Sequence, residues 1–186
     1  MTPDRLPLLA PDALTDAQRE LYRSIAESPR KQFMQVTDAD GRLRGPFNAF
    51  LYNPALGDIL QRLGAAIRQS PHLSRRAQEL AILLTATHCQ SEFEAAAHEQ
   101  LALAAGWRPE QVRLLLDGLQ PEIDDPAEQT VWRTTRRLLD AGDLTDDEYE
   151  EAVRVLGPEG LFDLTTLIGY YRLIALQLRL FRVPVE

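Results

Sequence analysis

The sequence predicts an all-α protein folded as a helical bundle. Helix-start signals recur along the chain, where a capping residue precedes a proline or stands three residues before a glutamate. Four such signals lie at Asn53–Pro54, Ser91–Glu94, Asp125–Pro126 and Thr145–Glu148. Strand signals are thin, because the best candidate is the short segment 35–37 before an Asp-Gly turn.

Length and composition indicate one soluble globular domain. The chain has 186 residues, of which 45% are hydrophobic and 26% are charged. We expect a single domain over residues 1–186, with the proline-containing segment 1–13 as an extended N-terminal arm. The net charge of −8, without a Lys/Arg-rich run, argues against nucleic acid as a partner. No membrane-spanning run or signal peptide is evident, so we expect a cytoplasmic protein without a membrane partner.

The first four predicted helices each begin at a capping residue and end at a turn or a glycine. They start at Thr15, Asn53, Ser74 and Ser91 and end near positions 27, 69, 87 and 106. The later helices begin at a proline or at a capping box. They start at Pro109, Pro126, Thr145 and Pro158 and end near positions 118, 142, 156 and 180.

The segment from Glu79 to His98 contains the residues best suited to chemistry. Ser91, Glu94 and His98 stand at i, i+3 and i+7, so they share one face of a helix. Glu79 lies twelve residues before Ser91 and can approach this face only if two helices pack side by side. A histidine between two glutamates can hold or pass a proton near neutral pH.

This spacing resembles the motif of the carboxymuconolactone decarboxylase and alkylhydroperoxidase D-like (AhpD-like) family. The peroxidase branch carries Glu, eleven residues, Cys, two residues, Cys, three residues, His. The ends of that motif fall on Glu79 and His98, whereas Ser91 and Glu94 occupy the two cysteine positions. The chain therefore looks closer to the decarboxylase-like branch, which commonly lacks the cysteine pair. The resemblance also covers residues 45–54 and 161–184.

The resemblance implies a homo-oligomer, often a trimer or a hexamer, that acts on a small molecule near its subunit contacts. It implies decarboxylation or proton transfer on a lactone or a related carboxylate, with no organic cofactor. His98 would be the general acid/base, Glu79 its orienting carboxylate and Glu94 a second proton-handling group. Candidate substrate-binding residues are Ser91, His88, Phe47 and Tyr170. We expect no metal, because no His-x-x-x-His or Glu-x-x-His pair is present.

Each candidate residue also has a purely structural interpretation. Arg75 and Arg76 stand one helical turn from Glu79 and could neutralise it. Ser91 and Glu94 could serve only as a capping box. His98 lies among alanines, so its ring is not expected to be a packing element.

Two other functions remain open from the sequence. A thiol peroxidase is disfavoured because Cys89 is the only cysteine and a two-thiol cycle needs two thiols within disulfide reach. Cys89 also precedes the expected first cysteine position by two residues, which points it to another side of a helix. The other alternative is a non-catalytic oligomer that binds a small molecule.

Overall fold

The computed structural model describes residues 5–32 and 34–185, and these residues confirm the all-α prediction. They form the α-helices α1 (Asp16–Ala26), α2 (Pro46–Phe50), α3 (Pro54–Gln69), α4 (Arg75–His88), α5 (Glu92–Ala104), α6 (Pro109–Leu116), α7 (Pro126–Ala141) and α8 (Asp146–Phe181). Short 3-10 helices cover Pro11–Ala13 and Pro29–Gln32. In place of the predicted strand, the described residues contain one isolated antiparallel bridge between Thr37 and Leu43. None of the described helices is long and apolar enough to cross a lipid bilayer.

Side-chain caps fix most of the predicted helix starts. The Ser74 hydroxyl accepts the backbone N–H of Ala77 at 3.0 Å at the start of α4. Asp125 accepts two backbone N–H groups at the start of α7. Thr145 and Glu148 form a reciprocal capping box at the start of α8. Each cap satisfies donors that the first turn of a helix leaves unpaired.

The predicted capping box at Ser91 is wrong, although α5 does begin directly after Ser91. The Ser91 hydroxyl makes no capping hydrogen bond. The backbone N–H of Ser91 instead donates to the carbonyl oxygen of Ala86 at 2.8 Å, so it is not available to Glu94. The side chain of Glu94 is buried. Ser91 and Glu94 therefore do not form a capping box at the start of α5.

Gly157 breaks α8 where two separate helices were predicted. It has φ 72° and ψ 164°, a backbone conformation that only glycine adopts readily, and Pro158 follows it. The helical hydrogen-bonding pattern resumes at once, so the two predicted helices form one kinked element. The helix α2 was not predicted, since Gly45–Pro46 indicated only a turn.

The described residues divide into two compact units. The first contains residues up to 66 and from 177, and the second contains residues 67–176. The expected single domain therefore remains a prediction. In the first unit, the N-terminal arm is held by Asn48, which donates to the carbonyl oxygen of Pro7 and accepts from the N–H of Leu9, both at 3.0 Å.

The second unit is built around α4. Every residue from 77 to 86 is buried, and α5, α6 and α7 pack against this helix. Leu164 and Leu167 of α8 belong to the same hydrophobic core. Full burial of each leucine stabilises the fold by roughly 1.5–3 kcal/mol. A central helix of this kind also carries its polar residues into the interior, including Glu79.

Candidate active site

Glu79 on α4 and His98 on α5 form a buried hydrogen-bonded pair. His98 Nδ1 lies 2.8 Å from Glu79 Oε2. The two residues are nineteen positions apart, and the side-by-side packing of α4 and α5 brings them together. An ionised carboxylate can only accept, so His98 donates through Nδ1–H and leaves Nε2 for another partner.

Arg68, at the end of α3, completes a three-residue chain. Its Nη2 donates to Glu79 Oε1, so each carboxylate oxygen of Glu79 has its own partner. Glu79 is only 1% exposed, and burial alone would raise its pKa. The hydrogen bond and charge of His98, together with the charge of Arg68, outweigh burial and hold the pKa of Glu79 below its ordinary value. Glu79 is therefore ionised in the interior.

Neither arginine that was considered as a partner of Glu79 makes that contact. Arg75 Nη1 donates to the carbonyl oxygen of Arg68 and to Gln78, both at 3.3 Å. Arg76 pairs with Glu128 at 2.8 Å and lies over the ring of Trp107. The partner comes instead from the preceding helix, eleven residues before Glu79. The spacing of residues along α4 cannot predict the contact between Arg68 and Glu79, because Arg68 lies on α3.

Glu94 is a second buried carboxyl group, but without a counterion. It is 3% exposed, and neither oxygen has a hydrogen-bond partner among the residues that the structure describes. Burial raises the pKa of Glu94 to about 8, and the nearby Ser91 hydroxyl only partly opposes this effect. Glu94 is thus mostly protonated at neutral pH. The Ser91 hydroxyl is also buried and lacks a regular hydrogen bond within the described part of the chain.

Tyr171 on α8 is a site residue that the sequence analysis missed. Its ring meets the His98 ring edge to face, with centroids 5.1 Å apart. His98 is therefore a packing element, contrary to the expectation from its alanine neighbours. Burial raises the pKa of Tyr171, and Arg68 opposes this shift. Arg68, Glu79 and Glu94 all lie close enough to act electrostatically on Tyr171.

The other predicted substrate-binding residues have varied surroundings. Tyr170 packs against Tyr171, with ring centroids 5.4 Å apart. His88 lies nine residues after Glu79, roughly 13 Å further along α4, and its Nδ1 is 3.7 Å from Asp140. Phe47 belongs to the first unit, where it packs against Phe50.

No group of three metal-ligating side chains that could hold a metal ion occurs in the described parts of the chain.

Cys89 is half-buried at the C-terminal cap of α4. Its backbone N–H donates to the carbonyl oxygen of Thr85 at 2.9 Å. Cys89 thus lies at the C-terminal end of α4, whereas Glu79 lies about one turn inside the N-terminal end of the same helix.

One comparison with known families gives a match. The model of the carboxymuconolactone decarboxylase family matches residues 54–137. This match supports the resemblance to the carboxymuconolactone decarboxylase and AhpD-like family that the motif indicated. The matched segment includes Arg68, Glu79, Glu94 and His98, whereas Tyr171 lies beyond it. No curated protein matches the sequence.

Several solved structures share the fold at low sequence identity. One is an uncharacterized peroxidase-related protein with an alkylhydroperoxidase AhpD core from Ralstonia eutropha JMP134, with a TM-score of 0.78, 14% identity and coverage of 100% of this chain and 94% of that one. A peroxidase-related protein from Silicibacter sp. TM1040 has a TM-score of 0.76, 13% identity and coverage of 100% and 93%. A variant of the debrominase Bmp8, in complex with 2,3,4-tribromopyrrole, has a TM-score of 0.75 at 13% identity, with coverage of 100% and 93%. At these identities the likeness establishes the fold.

Proposed function

We propose that the protein is an enzyme that performs acid–base chemistry on a small lactone or a related carboxylate, by decarboxylation or proton transfer. The observation that carries this proposal is the chain from Arg68 through Glu79 to His98. It combines an imidazole in fixed orientation with an ionised, buried carboxylate. The match of residues 54–137 to the carboxymuconolactone decarboxylase family supports an enzyme of this general kind.

His98 is the proposed general base. With Nδ1–H donated to Glu79, the lone pair of Nε2 is free to take a proton from a carbon next to a carbonyl group. The electron pair of the broken C–H bond moves onto the carbonyl oxygen. The imidazolium that forms is stabilised by the carboxylate of Glu79, which stays ionised throughout. Arg68 keeps that carboxylate charged.

Glu94 is the proposed acid. Its raised pKa keeps a proton on the carboxyl group at neutral pH, so it can return a proton to a carbanion or an enolate. Two carboxyl groups in one unit thus have opposite charge states, as paired acid and base chemistry needs. Replacement of the family's cysteine pair by Ser91 and Glu94 supports this change from redox to proton chemistry.

A peroxidase that works through an internal disulfide is the less favoured alternative. The names of two structural neighbours suggest peroxidase relatives. With Cys89 as the only cysteine, oxidation can yield a sulfenic acid or an intermolecular bond, but not an internal disulfide. A non-catalytic binding protein would use the same polar groups without turnover.

The test is a survey of small lactones and carboxylates incubated with the protein in deuterated water. Mass spectrometry then reads deuterium incorporation and release of carbon dioxide. We expect His98→Ala to lower the rate by about 10²–10⁴-fold, the usual contribution of a general acid–base group. Cys89→Ser is the matched control and should retain the activity.

Melting curves recorded beside these assays separate chemistry from folding. Equal turnover per folded molecule in His98→Ala and the unmodified protein would overturn the proposal. Robust peroxide consumption with a dithiol donor, lost in Cys89→Ser, would support a one-cysteine peroxidase instead.

A further inference from the structure

Arg68 has one terminal nitrogen that the Glu79 pair does not use. Nη2 donates to Glu79 Oε1, whereas Nη1 is buried and makes no hydrogen bond of regular geometry to the described residues; besides Glu79, the Tyr171 side chain interacts with this guanidinium. A buried donor that lacks an acceptor destabilises the folded state. Natural proteins rarely accept this cost without a functional reason, such as an absent ligand or ion.

Two other buried polar groups of the second unit, on Ser91 and Glu94, are also able to donate. The Ser91 hydroxyl and the Glu94 carboxyl group are both more than nine-tenths buried and lack regular partners within the described chain. Arg68 and Glu94 both act electrostatically on Tyr171, so both lie near this side chain. Because Glu94 is mostly protonated, this part of the site has several donors, and Glu79 is its ionised acceptor.

We propose that Arg68 is a substrate-binding residue whose Nη1 donates to a carboxylate oxygen of the ligand while its Nη2 holds Glu79. One guanidinium would then fix both the base and the ligand, since its planar donors point in set directions. The position of the ligand beside His98 rests on the proposed function. The assignment of Arg68 itself rests on its own unpaired donor.

Access to Nη1 requires a small movement. The nitrogen is shielded from solvent, but the Arg68 side chain as a whole is 17% exposed. The His98 side chain is 11% exposed, whereas Glu79 is closed off between them. The side chains of Arg68 and His98 are thus the members of the chain that solvent reaches.

Formate is a suitable probe, because it is the smallest carboxylate and needs no room for a side group. Ligand-observed NMR measures its line broadening by the protein at constant ionic strength, with neutral formamide as the comparison ligand. We expect saturable broadening of formate that formamide does not reverse. No saturable binding of formate would overturn the proposal.

Two lysine variants separate a specific contact from general positive charge. Arg68→Lys keeps the charge and one donor for Glu79 but loses the second donor. Loss of a charge-assisted hydrogen bond should weaken formate binding by about tenfold or more. Arg75→Lys is the control, because Arg75 also acts electrostatically on Glu79 but donates elsewhere. Equal weakening in both variants, or in neither, would contradict the proposal.

If Arg68→Lys does not fold, a measurement on the unmodified protein still tests the proposal. Formate should move the side-chain Nε–H signal of Arg68 and leave that of Arg75 in place; the reverse pattern would reject the assignment. Formate binding that survives in inactive His98→Ala would support the role of Arg68 independently of turnover. Turnover that persists fully in Arg68→Lys would reject that role while leaving the acid–base proposal intact.

Discussion

Glu79 and Glu94 are both buried carboxyl groups in the second unit, and their surroundings give them opposite charge states. Glu79 has a hydrogen-bond partner on each oxygen, and His98 and Arg68 together lower its pKa. For Glu94, only the Ser91 hydroxyl opposes the effect of burial, so burial dominates and raises its pKa. The difference follows from which residues approach each carboxyl group, since both are almost fully buried.

Replacement of Glu94 by glutamine should remove one source of pH-dependent instability. The pKa of Glu94 is raised to about 8 in the folded protein, whereas an unfolded glutamate titrates near its ordinary value. Between these pKa values the folded chain binds one more proton than the unfolded chain, so stability falls as the pH rises. Glu94→Gln cannot ionise and escapes that loss.

The measurement is the melting temperature of both proteins from about pH 5 to about pH 8, the window set by the two pKa values. The advantage of Glu94→Gln should grow steadily toward the upper end. All other titrating groups are common to the two proteins and cancel in the difference. A difference that does not change with pH would mean that Glu94 is already ionised at the lower end.

At the level of the helices, Gly57 marks a close approach of α3 to α1 and α2. A Cβ atom added there would clash with the carbonyl oxygen of Phe50 and lie 2.7 Å from Phe50 Cβ and 2.9 Å from Leu21 Cδ2. Gly57→Ala should therefore destabilise the protein by about 1–3 kcal/mol, the usual cost of overpacking. The higher helix propensity of alanine offsets only about 1 kcal/mol.

Chemical denaturation measures this cost, with Ala66→Gly as the control. Ala66 is exposed on the same helix, so its loss should cost only the difference in helix propensity, about 1 kcal/mol. A Gly57→Ala protein as stable as the unmodified one would show that α2 and α3 are not in close contact.

Local signals predicted the helices well, because caps and glycine stops act within a few residues. Ser74 and Asp125 cap their helices as expected. Ser91 and Glu94 have the same local pattern as a capping box, yet the carboxyl group turns inward. The Ser91 N–H instead donates to the carbonyl oxygen of Ala86, five residues earlier, as part of the C-terminal end of α4. A search for helix starts alone does not include this competing end of the preceding helix.

The site was predictable only in part for a related reason. The motif indicated Glu79 and His98, and the packing of α4 on α5 joins them. Arg68 and Tyr171 reach the pair from α3 and α8, and no spacing rule connects those positions. Contacts between distant segments depend on the turn after α3 and on helix packing, which single-sequence periodicity does not encode.

At the scale of the whole molecule, α8 carries large apolar side chains on its outer face. Phe162 is 69% exposed and Leu176 is 68% exposed, with Leu173 between them. The opposite face of this helix is buried in the core of the second unit. Exposed apolar groups that follow one helix face are typical of an interface between subunits.

We expect the protein to self-associate through this face of α8, as a trimer or a hexamer by its family resemblance. Light scattering should give a mass above the 21.0 kDa of one chain at micromolar concentration. The double substitution Phe162→Glu with Leu176→Glu should shift the mass toward that of the monomer. Leu119→Glu is the control, because Leu119 is similarly exposed but lies outside α8. A monomeric unmodified protein would contradict this expectation.

The most direct test of the central claim is the ring-nitrogen NMR spectrum of His98. The Glu79 contact requires the neutral ring to carry its proton on Nδ1, with Nε2 open as the base. We predict that the neutral form shows this tautomer, and that Glu79→Gln shifts the population toward the tautomer protonated on Nε2. A neutral ring protonated on Nε2 in the unmodified protein, unaffected by Glu79→Gln, would contradict the account of His98 as a base held by Glu79.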